Sequence, residues 1–283
     1  MGIFSGCLLA SDIDGTLLCN GQIPKRNLEA VDWFQSEGGI FALATGRTVW
    51  GAKESYRLSH SRAPLIACHG GIIYDFASGR MVSHHGLDPR CLEVALQIMR
   101  EFSTIGAELF SGTDIYELRS SKGTRWHADY EALELLPAPE DLRSVIHTKF
   151  LFAVDEEETL NQLIAYCAAL DAPYCRFINT SNKENARYFE IIPPSVDKGK
   201  AVMELKRITG AETAYAIGDF YNDVEMIQNV DVGATTAGAP DDIKNMARFV
   251  TGSCENGAVA DFIEAIHKSL KGCSVWKNPS KNN

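Results

Sequence analysis

The chain has 283 residues, 45% of them hydrophobic, enough to bury the core of one elaborate domain or two. Its net charge of −10 argues against a nucleic-acid partner, because such proteins present a basic face to the phosphate backbone. No apolar run reaches the roughly 18 residues of a membrane-spanning helix, and the first ten residues lack the basic start of a secretory signal, so a cytoplasmic protein without a membrane partner is expected. Eight cysteines are scattered with no C-x-x-C pair, which reads as reduced thiols and not as a disulfide framework or a zinc site.

In chain order, residues 6–11 form a short apolar run of the kind found in strands covered on both faces. Residues 24–37 place Leu28, Val31 and Phe34 at helical spacing and end in Gly38-Gly39, a helix with a glycine stop. Residues 40–44 predict a strand, 49–59 a helix and 65–68 a third buried strand. That alternation describes a parallel sheet with right-handed crossovers.

The rhythm then changes. Residues 72–75 and 81–84, either side of Ala77-Ser78-Gly79, predict a hairpin, and Asp88-Pro89 opens a helix that reaches Ser103. Strands are predicted at 107–110, 115–119, 146–154, 174–178 and 188–192, with a helix over 156–170, while Lys122, Arg125 and Trp126 fall in a loop. The acidic run from Asp155 to Glu158 reads as the first turn of that helix, where it complements the dipole. After Pro193-Pro194 the alternation returns, with helices at 198–208 and 223–228 and strands at 214–217 and 230–234. The expected architecture is α/β: a Rossmann-like parallel-sheet core of residues 1–84 and 190–283, split by an inserted α+β domain of residues 85–189. The polar tail 277–283 reads as disordered.

Ligands of open parallel sheets bind outside the carboxyl ends of the strands. Four clusters fall at such ends: Asp12-Ile13-Asp14-Gly15-Thr16, Thr45-Gly46-Arg47, Lys198-Gly199, and Gly218 to Asp223. Three carboxylates converging there, Asp12, Asp219 and Asp223, would repel one another unless a cation lay between them. Mg²⁺ suits hard oxygen ligands and a substrate phosphate. Lys198 adds positive charge at the start of a helix, where the dipole disfavours it, so its position calls for a separate reason. Thr45 offers a hydroxyl to a phosphate oxygen. A carboxylate in such a place can attack phosphorus to give an aspartyl phosphate that water later removes. Asp14, on the far side of a chain freed to bend by Gly15, can supply the proton to the leaving alcohol.

The segments DIDGT, ATGR, VDKGK and GDFYND resemble, in order, the four motifs of haloacid dehalogenase (HAD) superfamily phosphatases, in the Cof-type branch (subclass IIB) whose large α/β cap is inserted after the second motif. The resemblance implies a HAD-like core and makes the inserted domain a cap that closes over substrate. It implies Asp12 as nucleophile and Mg²⁺ ligand, and Asp14 as acid/base that also lends a main-chain carbonyl to the metal. Thr45 and Lys198 would hold the transferring phosphoryl group, and Asp219 would be a second carboxylate ligand. Gly15, Gly46, Arg47, Asn222 and Asp223 would form the phosphate and substrate surroundings, although Arg47 also reads as a surface ion pair. Two loops depart from the family pattern: His69-Gly70-Gly71 stands where Asn-Gly-Ala is usual, and Thr236-Ala237-Gly238-Ala239 where Met-Gly-Asn-Ala is frequent. His69 reads equally as a pocket residue and as a bonded core histidine, and the other histidines lack ligand spacing.

The implied function is a Mg²⁺-dependent phosphomonoesterase acting on a small phosphorylated metabolite such as a sugar phosphate. One alternative is a phosphomutase or other phosphotransferase with the same nucleophile, against which the short stretch between Asp14 and Thr45 stands. The other is a non-catalytic regulator that binds a phosphometabolite, for which both Asp12 and Asp14 would be superfluous. The sequence sets no oligomeric state.

Overall fold

The computed structural model describes residues 2–180 and 187–277, so all of the polar tail but Lys277 lies outside the described residues. The chain forms two compact units. One is built from the chain up to Arg47, from Ala52–Val82 and from Asp197 onward, the other from Thr48–Gly51 and Ser83–Val196.

The regular elements open with β1 (Cys7–Ser11), α1 (Lys25–Ser36), β2 (Ile40–Leu43), α2 (Lys53–Leu58), β3 (Leu65–Ala67), β4 (Ile72–Asp75) and β5 (Arg80–His84). Then come α3 (Cys91–Glu101), β6 (Gly106–Ser111), β7 (Asp114–Arg119), α4 (Lys122–Glu131), β8 (Leu136–Pro137), β9 (Lys149–Ala153), α5 (Glu157–Ala168), β10 (Arg176–Asn179) and β11 (Tyr188–Ile192). The chain continues with α6 (Lys198–Thr209), β12 (Thr213–Gly218), α7 (Val224–Asn229), β13 (Val232–Thr235), α8 (Asp241–Met246), β14 (Phe249–Val250) and α9 (Ala258–Leu270).

The first unit is organised by a five-stranded parallel sheet in the order β14-β13-β12-β1-β2. All five residues of β1 are buried, which is why they read as an unbroken apolar run: both faces of the strand are covered. Leu8, Ala10, Ala42 and Ala216 pack with Val202 and Leu205 of α6. The small residues on the strands let the helix approach closely. Register then aligns the strand ends, with Ser11 opposite Ile217 on one side and Leu43 on the other. Asp12, Asp219 and Thr45 each follow within two residues of that line.

Three expectations are corrected in this unit. Residues 65–67 do not extend the parallel sheet; β3 pairs antiparallel with β4, and a single parallel bridge between Ala44 and Ile66 joins it to β2. The cause is local, since Cys68, His69 and Gly70 all have positive φ and turn the chain straight back. The helix expected over 49–59 is confined to α2, whose N-terminus has no side-chain cap. The cysteines are not all free: Cys19 and Cys254 form a disulfide with Cα atoms 6.0 Å apart, while the other six are thiols. α8, β14 and α9 add to the expected elements.

The second unit holds a six-stranded sheet, β10-β11-β9-β6-β7-β8, antiparallel except for β7–β8. On one face, Leu109, Phe150, Phe152 and Ile191 pack with Leu92 and Ile98 of α3 and Leu163 of α5. Alternation along the strands sends Glu108, Phe110, Lys149 and Glu190 to the other face. There α4 lies, and it corrects the loop expected around Lys122, Arg125 and Trp126. Its start is a capping box in which Ser121 Oγ accepts from Thr124 N and Thr124 Oγ1 accepts from Ser121 N. No helix among the described residues is long and apolar enough to cross a membrane.

Candidate active site

The site grows from the end of β1. Asp12 continues the register of the strand, its N–H donating to Ile217 O at 2.9 Å, so its carboxylate is placed by the sheet. Beyond it the chain winds tightly, with Ile13 O accepting from the N–H groups of Thr16, Leu17 and Leu18. Gly15 sits inside this turn at φ +82°, and a side chain there would collide with the Asp219 carboxylate. Glycine is required both by the backbone and by the approach.

Asp197 caps the N-terminus of α6, its Oδ1 accepting from Lys200 N at 2.7 Å. The next residue, Lys198, is almost wholly buried. Its Nζ donates to Asp12 Oδ1 at 2.6 Å and to Asp223 Oδ1 at 2.7 Å. These two carboxylates answer the objection raised by the helix dipole: two direct ion pairs outweigh a fractional terminal charge. Asp223 Oδ2 accepts from Asp219 N and Phe220 N, at 3.0 and 3.2 Å, which fixes the turn after β12. Thr16 Oγ1 in turn donates to Asp219 Oδ1 at 2.8 Å.

Asp12, Asp219 and Asp223 each bring a carboxylate oxygen within 4.8 Å of the others. Burial, and then the charge of Asp223, hold the Asp12 carboxyl well above the usual range, with Lys198 opposing. Burial and Asp223 likewise push Asp219 up to about 6. For Lys198 burial favours the neutral amine, but Asp12 and Asp223 outweigh it and hold the ammonium above an ordinary lysine. Three hard oxygen donors against one lysine leave negative charge uncompensated, and a divalent cation such as Mg²⁺ fits that donor set.

The second cluster lies at the end of β2. Thr45 is buried, its N–H donating to Ile66 O at 2.9 Å and its Oγ1 accepting from Arg47 N at 3.1 Å. Arg47 forks onto Asp14, with Nε to Oδ2 at 2.8 Å and Nη2 to Oδ1 at 2.6 Å. Asp14 is otherwise exposed, so an acid able to face solvent and an arginine are held together beside the buried cluster. His69 is buried, donates its N–H to Thr45 O at 3.0 Å, and lays its ring where a side chain on Gly46 would be. Asn222 is exposed on the turn, and among the described residues it makes no hydrogen bond to the cluster.

The structure thus gathers Asp12, Lys198, Asp219 and Asp223 in one group and Asp14 with Arg47 beside it. Two supporting residues had been given no role. Asp197 carries a local signal, an aspartate immediately before a helix. Thr16 carries none, because its partner is 203 positions away.

Residues 9–263 match the family model described as haloacid dehalogenase-like hydrolase. The chain is 26% identical to the 5-amino-6-(5-phospho-D-ribitylamino)uracil phosphatase YwtE of Bacillus subtilis, over 91% of this chain and 97% of that protein. It is 25% identical to the phosphatase YwpJ of the same organism, over 92% and 99%. In fold it resembles a haloacid dehalogenase-like hydrolase from Bacteroides thetaiotaomicron, with a TM-score of 0.78 at 22% identity over 92% of this chain and 98% of that one. A subclass IIB sugar phosphatase gives 0.75 at 17% identity over 93% and 99%.

Proposed function

The chain belongs to the haloacid dehalogenase-like hydrolases, matched over residues 9–263, and from that premise we propose that it is a Mg²⁺-dependent phosphatase that releases phosphate from a small phosphorylated metabolite such as a sugar phosphate. The observation that carries the reading is the buried group of Asp12, Asp219 and Asp223 around Lys198. One buried ammonium against three carboxylates leaves an excess of negative charge that a divalent cation would balance. The names of the two curated relatives agree with a phosphatase.

In the proposed reaction an Asp12 carboxylate oxygen attacks phosphorus, and the bond from phosphorus to the substrate oxygen breaks. Asp14 gives that oxygen its proton. Asp14, now a carboxylate, then takes a proton from water as the water attacks the aspartyl phosphate, releasing phosphate and restoring both aspartates. Lys198 and the Thr45 hydroxyl neutralise and orient the phosphoryl oxygens, with Gly15, Gly46, Asn222 and Asp223 forming the surroundings. Arg47 keeps the Asp14 carboxyl in place between turnovers and meets the substrate side of the loop. Mg²⁺, held by the carboxylates of Asp12 and Asp219 and the main-chain carbonyl of Asp14, would supply charge neutralisation at the phosphoryl group. The second unit is read as the inserted cap domain of subclass IIB, and the setting as cytoplasmic.

A panel of phosphorylated metabolites assayed with Mg²⁺ tests the reading, with Asp12→Asn as the control. Phosphate release by the wild type and not by the variant is expected. Uniform inactivity across a broad panel would move the protein to the class of phosphometabolite-binding regulators.

A further inference from the structure

The pair Cys19–Cys254 lies outside the proposed chemistry but is tied to the loop that carries it. Cys19 is half-buried in the turn that follows the Asp12–Leu18 loop, where its N–H donates to Gln22 O at 2.8 Å and Gln22 N returns to Cys19 O at 2.9 Å. Asp14 and Leu18 bridge each other just before it. Cys254 is buried in the short turn that precedes α9, and Gly257 N donates to its carbonyl at 3.0 Å. Their Cα separation of 6.0 Å suits a disulfide without movement of either backbone.

That separation is built in by α1. Asn27 is wholly buried; its Nδ2 reaches Leu17 O on the catalytic loop at 3.4 Å, and its Oδ1 accepts from Ala260 N on α9 at 3.0 Å. Arg26 donates to Asn256 O at 3.0 Å and pairs with Asp261 and Glu264. One helix therefore holds both cysteine turns side by side, although they are 235 positions apart. The two sulfurs would face each other with or without a bond. The remaining six cysteines are thiols, including Cys91 and Cys175 with sulfurs 3.0 Å apart. A single bonded pair among so many thiols is the pattern of a redox-sensitive site, not of a disulfide scaffold.

We propose that Cys19 and Cys254 form a reversible thiol–disulfide site, oxidised by small-molecule disulfides and reduced by dithiols, whose closure fastens the Asp12–Leu18 loop to the start of α9. Cys19, the more exposed of the two, loses its proton and attacks the small disulfide, releasing one thiol. Cys254, likewise deprotonated, displaces the second half of the small molecule from Cys19. Two electrons pass to the small disulfide, which leaves as two thiols carrying the two protons. Closing the bond holds the loop in the geometry that rests Asp14 on Arg47, so the oxidised enzyme turns over more slowly with little change in KM. The bond itself is independent of the phosphatase reading; only its effect on turnover rests on it.

The full chain is treated with oxidised glutathione or with dithiothreitol, alkylated with iodoacetamide, digested and weighed, and both forms are followed through thermal unfolding and assayed on p-nitrophenyl phosphate with Mg²⁺. The expected result is a Cys19–Cys254 linked peptide only in the oxidised sample, a melting temperature several degrees lower after reduction, and a several-fold higher kcat in the reduced form. Cys254→Ser should lose the redox response of both quantities. Alkylation of both cysteines in the oxidised sample overturns the site, whatever the activity. A linked peptide with identical kcat in the two forms overturns the coupling to the loop. Absence of turnover in either form counts against the phosphatase reading and the effect on rate together, while the peptide still decides the bond. Because the wild type is compared with itself, failure of Cys254→Ser to fold leaves the test intact.

Discussion

Each unit of this protein buries charged side chains, but the two neutralise them to different degrees. In the second unit Lys149 Nζ meets Glu190 Oε2 at 2.7 Å and His127 Nδ1 meets Glu108 Oε2 at 2.8 Å, with Glu131 Oε1 3.8 Å from the other ring nitrogen, so that two cations stand among three carboxylates. Thr180 Oγ1 adds a bond to Glu190 Oε1 at 2.8 Å. In the first unit one ammonium, Lys198, serves Asp12 and Asp223 with Asp219 close by. Burial is similar in both places. The difference is the degree of charge imbalance, three carboxylates to two cations in the second unit and three to one in the first, and the larger excess is where the proposed cation fits.

The widest separation between the two should come from Asp12→Asn. Turnover should fall by roughly 10⁴-fold or more, since the proposed nucleophile is gone. In the presence of chelator the same variant should melt higher than the wild type, because burial and Asp223 disfavour the charged carboxyl that it removes. A variant that lost both activity and metal-free stability would place Asp12 among the structural carboxylates and erase the contrast.

Asp14→Ala comes next, with a loss on the order of 10²–10⁴-fold on a sugar phosphate. The loss should be much smaller for the first step on p-nitrophenyl phosphate, whose phenolate leaves without a proton. A burst of p-nitrophenol near one equivalent should precede a stall at the phosphorylated enzyme. Equal losses on both substrates without a burst would make Asp14 a positioning residue for the metal.

In the second unit, Lys149→Met should cost about 3–5 kcal/mol of unfolding free energy in urea, by leaving Glu190 buried without its ammonium. Its kcat should stay near the wild-type value once folded. A large loss of kcat with intact stability would show that this pair, too, takes part in the chemistry.

The smallest effects are in pH. His127 is held up to about 9: burial alone would lower its pKa, but Glu108 and then Glu131 reverse this. Its folded pKa lies above the ordinary histidine value of 6.5, so its contribution is complete below about 6.5 and is lost as pH rises through 9, on the order of 3 kcal/mol. Asp219, also raised, destabilises the metal-free protein as pH rises from about 4 through 6. Mg²⁺ should flatten the lower window and leave the upper one, whereas His127→Gln should do the reverse. Unfolding free energy measured across pH with and without Mg²⁺ checks both, and a lower window that ignores Mg²⁺ would tell against a metal at Asp219.

The parts of the fold that were legible share a property: their signal is contiguous. The buried runs of β1 and β4 and the helical spacing in α1 each bury apolar residues at a period that the chain itself displays. α4 failed that test. Its buried residues are Thr124 and His127, which answer Glu117 and Glu108 on the sheet, so the face it buries is polar and the hydrophobic period is missing. At the site, Asp12, Lys198, Asp219 and Asp223 could be named because each sits in a motif at a strand or helix end. The fork between Arg47 and Asp14 could be read only as one of two roles, and nothing near Thr16 pointed to Asp219.

What the sequence by itself determined was the chemistry available and the strand ends at which it would stand, since a run of apolar residues followed by carboxylates encodes both element and terminus within a dozen positions. Tertiary structure alone decided which charges meet. Register between β1 and β12 brings Asp12 level with the turn of Asp219 and Asp223, α6 delivers Lys198 between them, and α1 sets Cys19 against Cys254. Such pairings depend on distances through space between residues far apart in the chain, and a single sequence holds no record of those distances until packing of the core has fixed them.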